Sequence, residues 1–436
     1  MNQLKLRACE AIDGRREELI AFGEDIWAHP ELGYKEFRTA QKVAQALKAM
    51  GVEDMERCGI TGIKAWLKRG EGPCVAVMGE LDAVISPQHP FADPETGAAH
   101  ACGHHAQVTA LVGTALGLIP VLEHLAGSIC LIAVPAEEFV ELGWRLRLRQ
   151  EGKISYLGGK QQLICEGAFD DVDMAIMMHS ESNAPCPRVV VDGPSIGFIG
   201  KEVHFIGREA HAGGAPWKGI NALNAANLAM MGIHANRETF RDEDQVRVHP
   251  ILTKGGDLVN TVPADVRMES YVRAANVPAM QEANEKVNRA IRGGAYMVGA
   301  EVEILDIPGY LPMAQNRKMS RLLECNTRSI APELAVEHGL NFGGSTDIGD
   351  LSAIMPVIQP TITGFAGAAH SKDYRVTDPY QAYILPAKLQ AATVIDLLAE
   401  NAAQALAIRA ESPRKSKEEY MDLWKRILDG GDGQKL

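Results

Sequence analysis

The sequence predicts an α/β fold, a mostly parallel sheet flanked by helices, interrupted by a smaller inserted α+β domain. Three observations predict it. Short apolar or β-branched runs, PCVAVMGELDAV, AGSICLIAVPAEE and DVDMAIMMHSES, alternate with helical patterns such as HHAQVTALVGTALGLIPVLEHL. That is the order of a parallel sheet covered on both faces. From residue 197 the order becomes β-α-β-β-α-β, that of a ferredoxin-like sandwich, and the α/β pattern resumes near Pro308. Finally, 436 residues are too many for one compact core, so two domains are expected. The expected division is 1–196 and 308–436 for the larger domain and 197–307 for the insertion.

The stretch EELIAFGEDIWAHPELGYKEFRTAQKVAQALKAMG carries apolar residues at helical spacing on both sides of a His29-Pro30 break, with Gly51 placed to cap its end. Two helices are expected there. Within the insertion, GFIGKEVHFIG opens as a strand, NALNAANLAMMGIHAN follows as a helix, and VRVHPILTKGG and DVRMESYVRA read as strands. The helix VPAMQEANEKVNRAIRGGAYMVG and the strand EVEILDI complete it. Beyond it runs a long Ala/Leu helix, LPAKLQAATVIDLLAENAAQALAIRA. The tail has a capping box, Ser416 with Glu419, followed by Tyr420, Leu423, Trp424, Ile427 and Leu428 on one face, the pattern of a helix docked on its domain.

Apolar residues at 46% and charged residues at 23% place the chain among ordinary globular proteins. A formal charge of −12, with no Lys/Arg stripe interleaved with aromatics, argues against a nucleic-acid partner. The N-terminus, MNQLKLRACEAIDGRREELI, lacks the apolar segment and cleavage site of a secretory signal. No apolar run is read as approaching the ~20 residues that cross a bilayer, so a cytoplasmic protein with no membrane partner is expected. The eight cysteines are scattered, without CxxC pairs, and read as small buried apolar residues. Cys102 is the exception.

Cys102 and His104 stand at the entrance to a helix beyond the strand end Gly79-Glu80-Leu81-Asp82, Glu137-Glu138 follow the strand SICLIAVPA, and His179 ends MAIMMH. In an open α/β sheet the functional crevice lies outside the carboxyl ends of the strands, so these residues converge. Each by itself reads more readily as a core cysteine, a satisfied histidine or a solvated helix start. Together, at successive strand ends, they point to a metal site. A thiolate, imidazoles and a carboxylate suit zinc or a similar borderline cation.

Nearly the whole chain resembles the amidohydrolase branch of the aminoacylase and carboxypeptidase superfamily of dinuclear metallopeptidases. That branch includes hippurate, indole-acetyl-amino-acid and aminobenzoyl-glutamate hydrolases. The resemblance is carried, in order, by HPELGYKEFRT, GELDAV, HACGHH, PAEE, the strand ending in His179, AHAGGAPWKGINA, NTVPADVRMESYVR, GGSTDIGD and the late His370 in GAAHSKDY. It implies a zinc-peptidase-like sheet with an inserted dimerisation (lid) domain. It also implies one or two divalent ions, zinc, manganese or cobalt, bridged by Cys102 and held by His104, Glu138, His179 and His370. Glu137 would be the base that takes a proton from the attacking water, and Asp82 a carboxylate that orients a ligand. His211 matches a histidine that reaches the other subunit's active site to stabilise the oxyanion, which makes a homodimer part of the mechanism. Asn260 and Arg273 match positions that hold the substrate's carboxylate.

The chain departs from that pattern in places. His105 stands where relatives mostly have Asp or Asn, Glu80 where Asp is usual, and Met78 where Arg is usual. After Glu138 comes FVELGWRLRLRQEGKISYL, longer than the family needs, with Arg145, Arg147 and Arg149. These three are expected at the mouth of the site, selecting a small anionic substrate; a solvated surface loop is the alternative. The leading expectation is hydrolysis of the amide of an N-acyl or N-aroyl amino acid, or of an aminobenzoyl-glutamate-like compound. Hydrolytic deamination of an electron-poor aromatic amine (nitroanthranilate-type), and a non-catalytic metal- or peptide-binding protein, stay open beside it.

Overall fold

The computed structural model describes residues 2–340, 343–412 and 414–429; Met1 and the end of the expected C-terminal segment, 430–436, lie outside them. The chain forms two compact units, one of Met1–Pro194, Ala314–Phe342 and Asp350–Lys417, the other of Ser195–Met313, Gly343–Gly349 and Glu418–Leu436.

The first unit is built on a six-stranded sheet, ordered Met55–Cys58, Gly62–Lys68, Ser128–Val134, Cys74–Glu80, Met174–Ile176 and Val357–Ile358. The last four pair in parallel and the first two form an antiparallel hairpin at one edge. Cys74–Glu80 is buried along its whole length, as a central strand covered on both faces must be. The helix His104–Leu118 carries no polar stripe because almost every residue of it is buried; such a helix is apolar all round. A second sheet pairs His179–Ser182, Arg188–Val191, Thr361–Ala366 and two short strands.

Three differences from the sequence reading stand out. A helix at Gln3–Gly14, capped by the Asn2 side chain, precedes the two expected ones, Arg16–Trp27 and Phe37–Ala49. The long helix Leu385–Glu411 is interrupted at Ala399–Ala402 by non-helical backbone. And two helices, His104–His124 and Tyr380–Glu411, do have the length and apolarity to cross a membrane; 78% and 89% of their apolar windows are buried inside the protein. Their apolarity is that of core helices.

In the second unit the elements run β-α-β-β-α-β. The four strands are antiparallel, in the order Arg247–Lys254, Asp265–Ala274, Gly197–Ile206, Glu301–Tyr310. Asp265–Ala274 alternates buried with part-exposed positions, so one sheet face is covered and the other is open to solvent. Val203, Phe205, Val266 and Met268 meet Ala225, Ala229, Val287 and Ile291 of the helices Ala222–Ala235 and Val277–Val298 in one core. The tail helix Lys417–Asp429 buries Tyr420, Trp424 and Ile427. Trp424 Nε1 donates to Tyr420 Oη at 3.0 Å.

Candidate metal centre

The donor residues stand where buried strands of the first unit end. Beyond Cys74–Glu80, the fully buried Asp82 accepts the backbone N–H of Glu138 through Oδ2 at 2.9 Å. Its carbonyl oxygen and Oδ1 take the Nδ1–H of His104, at 2.9 and 3.2 Å. Because both partners are acceptors, Nδ1 carries a proton and Nε2 is the nitrogen turned toward the other donors; against the effect of burial, the Glu80 and Cys102 charges raise the ring's pKa well above its ordinary value. Asp82 thus orients His104 and anchors the turn that carries Glu137 and Glu138. That turn passes through Ala136 at φ 52°, and the Ala136 N–H is held by Glu36 Oε1 at 2.8 Å. Gly103, at φ 95°, opens the helix that bears His104; a Cβ there would meet Ser180 Oγ at 2.5 Å and Tyr374 Oη at 2.6 Å.

Two three-residue donor groups share one thiol: Cys102 with His104 and His179, and Cys102 with Glu138 and His370. Cys102 Sγ is 3.6 Å from His179 Nε2, and His370 Nε2 is 3.3 Å from Glu138 Oε1. Donors of one tetrahedral ion, at ordinary zinc distances, stand roughly 3.3–3.6 Å apart. The donor set fits a divalent cation in a second respect. The donor types, one thiol, three imidazoles and one carboxylate, are those that hold a borderline divalent cation. His179 directs its other nitrogen, Nδ1, at the Ser180 carbonyl, 3.0 Å away.

The charges within this cluster reinforce one another. Burial and the Glu138 carboxylate push the Cys102 thiol up, but His104 and His179 outweigh them and bring it down to about 6. Burial likewise pushes Glu138 up, and His370 and His104 reverse this to about 2. A thiolate and a carboxylate at neutral pH are the forms a metal binds. Glu137 Oε2 stands 3.8 Å from His104 Nε2, beside both groups.

His211, Asn260 and Arg273 belong to the second unit. His211 is exposed, and its Nδ1 accepts the backbone N–H groups of Gly213 and Gly214 at 3.2 and 2.9 Å, so the neutral ring carries its proton on Nε2. The Asn260 carbonyl accepts the Ala212 N–H at 2.9 Å, which ties the two loops together. Arg273 donates to Ser345 Oγ at 2.7 Å and lies over the rings of Phe198 and Tyr271. Ser345 was not singled out by the sequence, although it lies in GGSTDIGD.

The three arginines expected at a mouth divide. All lie on the helix Leu142–Gln150. Arg145 is fully buried, donates to the carbonyls of Leu157 (2.9 Å) and Ala136 (3.4 Å), and its guanidinium lies 5.4 Å from the Tyr34 ring centroid. It braces the turn before Glu137 and does not meet solvent, which corrects its assignment as a substrate contact. Arg147 and Arg149 are exposed. His105 is also fully buried, stacked near Trp27 and edge-on to Tyr383; burial pushes its pKa down to about 3. It is therefore a neutral core ring.

Sequence reading missed three residues beside the donors: Lys160, Gln107 and Glu36. All are buried and polar. Glu36 lies within HPELGYKEFRT, but nothing local in the sequence marks the contacts of any of the three, since each acts across a long chain separation.

Residues 76–395 match the family model described as peptidase family M20/M25/M40. The chain is 30% identical to the mouse (Mus musculus) Xaa-Arg dipeptidase over 420 residues, 91% of this chain and 89% of that protein. It is 28% identical to an N-acetylcysteine deacetylase of Bacillus subtilis, over 68% of this chain and 76% of the other. A crystal structure of a dinuclear metal-binding M20 peptidase from Bacillus subtilis superposes with a TM-score of 0.67 at 21% identity, covering 88% of this chain and 99% of that one. The sequence match, the α/β fold and the donor groups agree: this chain belongs to peptidase family M20/M25/M40 and is a hydrolase acting on C–N bonds.

Proposed function

We propose that the protein hydrolyses the amide bond of an N-acylated amino acid, dipeptides and N-aroyl compounds included, at a centre of one or two divalent ions. The observation that carries this is the pair of donor groups sharing Cys102 with Glu137 beside them. Metal binding alone has no need of a second adjacent carboxylate. The relatives support the substrate class, since a dipeptidase and an N-acetylamino-acid deacetylase both act on an amide one carbon away from a carboxylate.

Divalent ions bound by Cys102, His104, His179, Glu138 and His370 would polarise the amide carbonyl and acidify water. Glu137 takes the proton from the attacking water and returns it to the leaving nitrogen. His211, reaching across a homodimer, donates its Nε2–H to the developing oxyanion. Asn260 and Arg273 grip the substrate's carboxylate, Arg273 through its fork of donors. Arg147 and Arg149 add positive charge for an anionic substrate. Zinc, manganese and cobalt all suit a mixed S/N/O shell.

The test is to load the enzyme with one defined metal and incubate it with N-acyl amino acids, aminobenzoyl-glutamate, dipeptides and substituted anthranilates, following products by mass spectrometry. Amide cleavage that disappears in Glu137→Gln is the expected result. Ammonia release from aromatic amines without amide cleavage would overturn it in favour of deamination.

A further inference from the structure

The motif GGSTDIGD contributes none of the proposed metal ligands, yet the chain makes an excursion for it. Gly343–Gly349 belongs to the second unit, although the chain on either side of it belongs to the first. Two close backbone contacts fix the segment there. The Gly344 carbonyl accepts the Ile196 N–H at 3.0 Å, and a Cβ at Gly349 would fall 1.9 Å from the Leu311 carbonyl oxygen. So anchored, the segment brings Ser345 Oγ to Arg273, where it accepts a hydrogen bond from Nη1 at 2.7 Å.

Aromatic rings hold Arg273 from a second direction. It stands opposite Phe198 in the sheet, and Tyr271 precedes it by two residues on the same strand, hence on the same face. Its guanidinium carbon lies 5.1 Å from the Phe198 ring centroid and 5.4 Å from that of Tyr271. Those rings are themselves fixed: Phe198 is buried, tilted against Tyr271 at 4.7 Å and edge-on to Tyr310 at 5.0 Å. A guanidinium laid over ring faces keeps both its charge and its plane. Among the described residues no carboxylate stands within ion-pair distance of Arg273, whose contacts are the Ser345 hydroxyl and the two rings. Nη1 is the nitrogen engaged there, which leaves Nε and Nη2, one parallel edge of the fork, for a carboxylate.

We propose that Ser345, Phe198 and Tyr271 are positioning residues for Arg273. The rings set the plane of the guanidinium, Ser345 takes one arm of it, and the Nε–Nη2 edge is held in one direction before a substrate arrives. The proposal rests on the reading that Arg273 grips the substrate's carboxylate, and it gives GGSTDIGD the task of bringing Ser345 to that arginine. Pre-organisation of this kind reduces the ordering cost of binding. Its loss is therefore felt in KM more than in kcat, and only by substrates that carry the carboxylate.

The test compares N-benzoyl derivatives of glycine, leucine and glutamate with the matching α-carboxamides, in metal-loaded wild type and in variants whose folding is checked by thermal melts. Wild type should prefer acid to amide by at least about 100-fold in kcat/KM. In Ser345→Ala and in Tyr271→Leu that preference should shrink roughly tenfold, chiefly through KM for the acid. Ser345→Thr and Tyr271→Phe, which keep the hydroxyl and the ring, should retain it, whereas Arg273→Lys, which keeps only the charge, should lose most of it. Equal losses on acid and amide in the folded Ser345→Ala and Tyr271→Leu proteins, or an acid preference equal to that of wild type, would overturn the positioning role. A wild type that cleaves acid and amide alike would overturn the assignment of Arg273 beneath it, and one that cleaves neither would overturn the proposed amide hydrolysis.

Discussion

The candidate metal-binding residues and the His211 loop, proposed to serve one reaction, are built in opposite ways. Cys102, His104 and Glu138 are buried at the ends of strands that are covered on both faces, and Asp82 and Glu36 fix the turns between them. His211 and Asn260 are exposed on loops of a sheet with one open face. The first arrangement places donors by core packing and tolerates little displacement. The second leaves a proton donor in solvent, where its worth depends on what comes to meet it. Positioning is supplied inside one unit, and oxyanion stabilisation is expected from outside it.

The largest expected effect breaks this contrast at its buried end. Glu137→Gln should lower kcat by about 10⁴-fold while metal content stays at the wild-type level; loss of metal in that variant would make Glu137 a ligand instead of the base. At the exposed end, His211→Ala should cost roughly 10²–10³-fold in kcat with no change in melting temperature or metal content. Mixing the Glu137→Gln and His211→Ala proteins after subunit exchange should restore about one quarter of wild-type activity, because one site in each mixed dimer keeps both groups. No recovery in a demonstrated mixed dimer would place His211 at its own chain's site.

Stability should follow the same division. Arg145→Ala removes a buried guanidinium that braces Ala136 and is expected to cost about 3 kcal/mol in urea unfolding. Arg147→Ala and Arg149→Ala should stay within about 0.5 kcal/mol and raise KM for anionic substrates only a few-fold. Equal costs at all three positions would mean that burial of Arg145 does not govern its role.

Glu36 sharpens the buried side by pH. Burial and the charge of Asp82 push its carboxyl up to about 7 from 4.5. The folded state therefore binds more protons than the unfolded chain between those values. The stabilisation is present in full below 4.5 and is lost as pH rises through about 7. The unfolding free energy from urea titrations should fall across this window by an amount on the order of 1–3 kcal/mol, and Glu36→Gln should flatten the slope. A wild-type midpoint that rises from pH 5 to 7 would contradict the raised value.

Much of this was legible before any coordinates, for physical reasons that can be named. Alternating apolar runs and helical patterns specify strands and helices, and strand ends specify where donors gather, so Cys102, His104, Glu138 and His179 could be picked by residue type and position. What escaped was direction and distant pairing. The nine-residue helix Leu142–Gln150 has too weak a pattern to show that Arg145 turns inward while Arg147 and Arg149 turn out. The apolar helices His104–His124 and Tyr380–Glu411 could be told from membrane spans only by what surrounds them.

By itself, the sequence determined the fold class, the family and the kinds of donor, since these depend on local periodicity and on short motifs. Only the tertiary structure decided that Glu80 meets Lys160 from 80 residues away, that Asp82 holds both His104 and Glu138, and that Arg145 is a brace. Those are contacts between chain segments whose spacing in sequence carries no information about their distance in space.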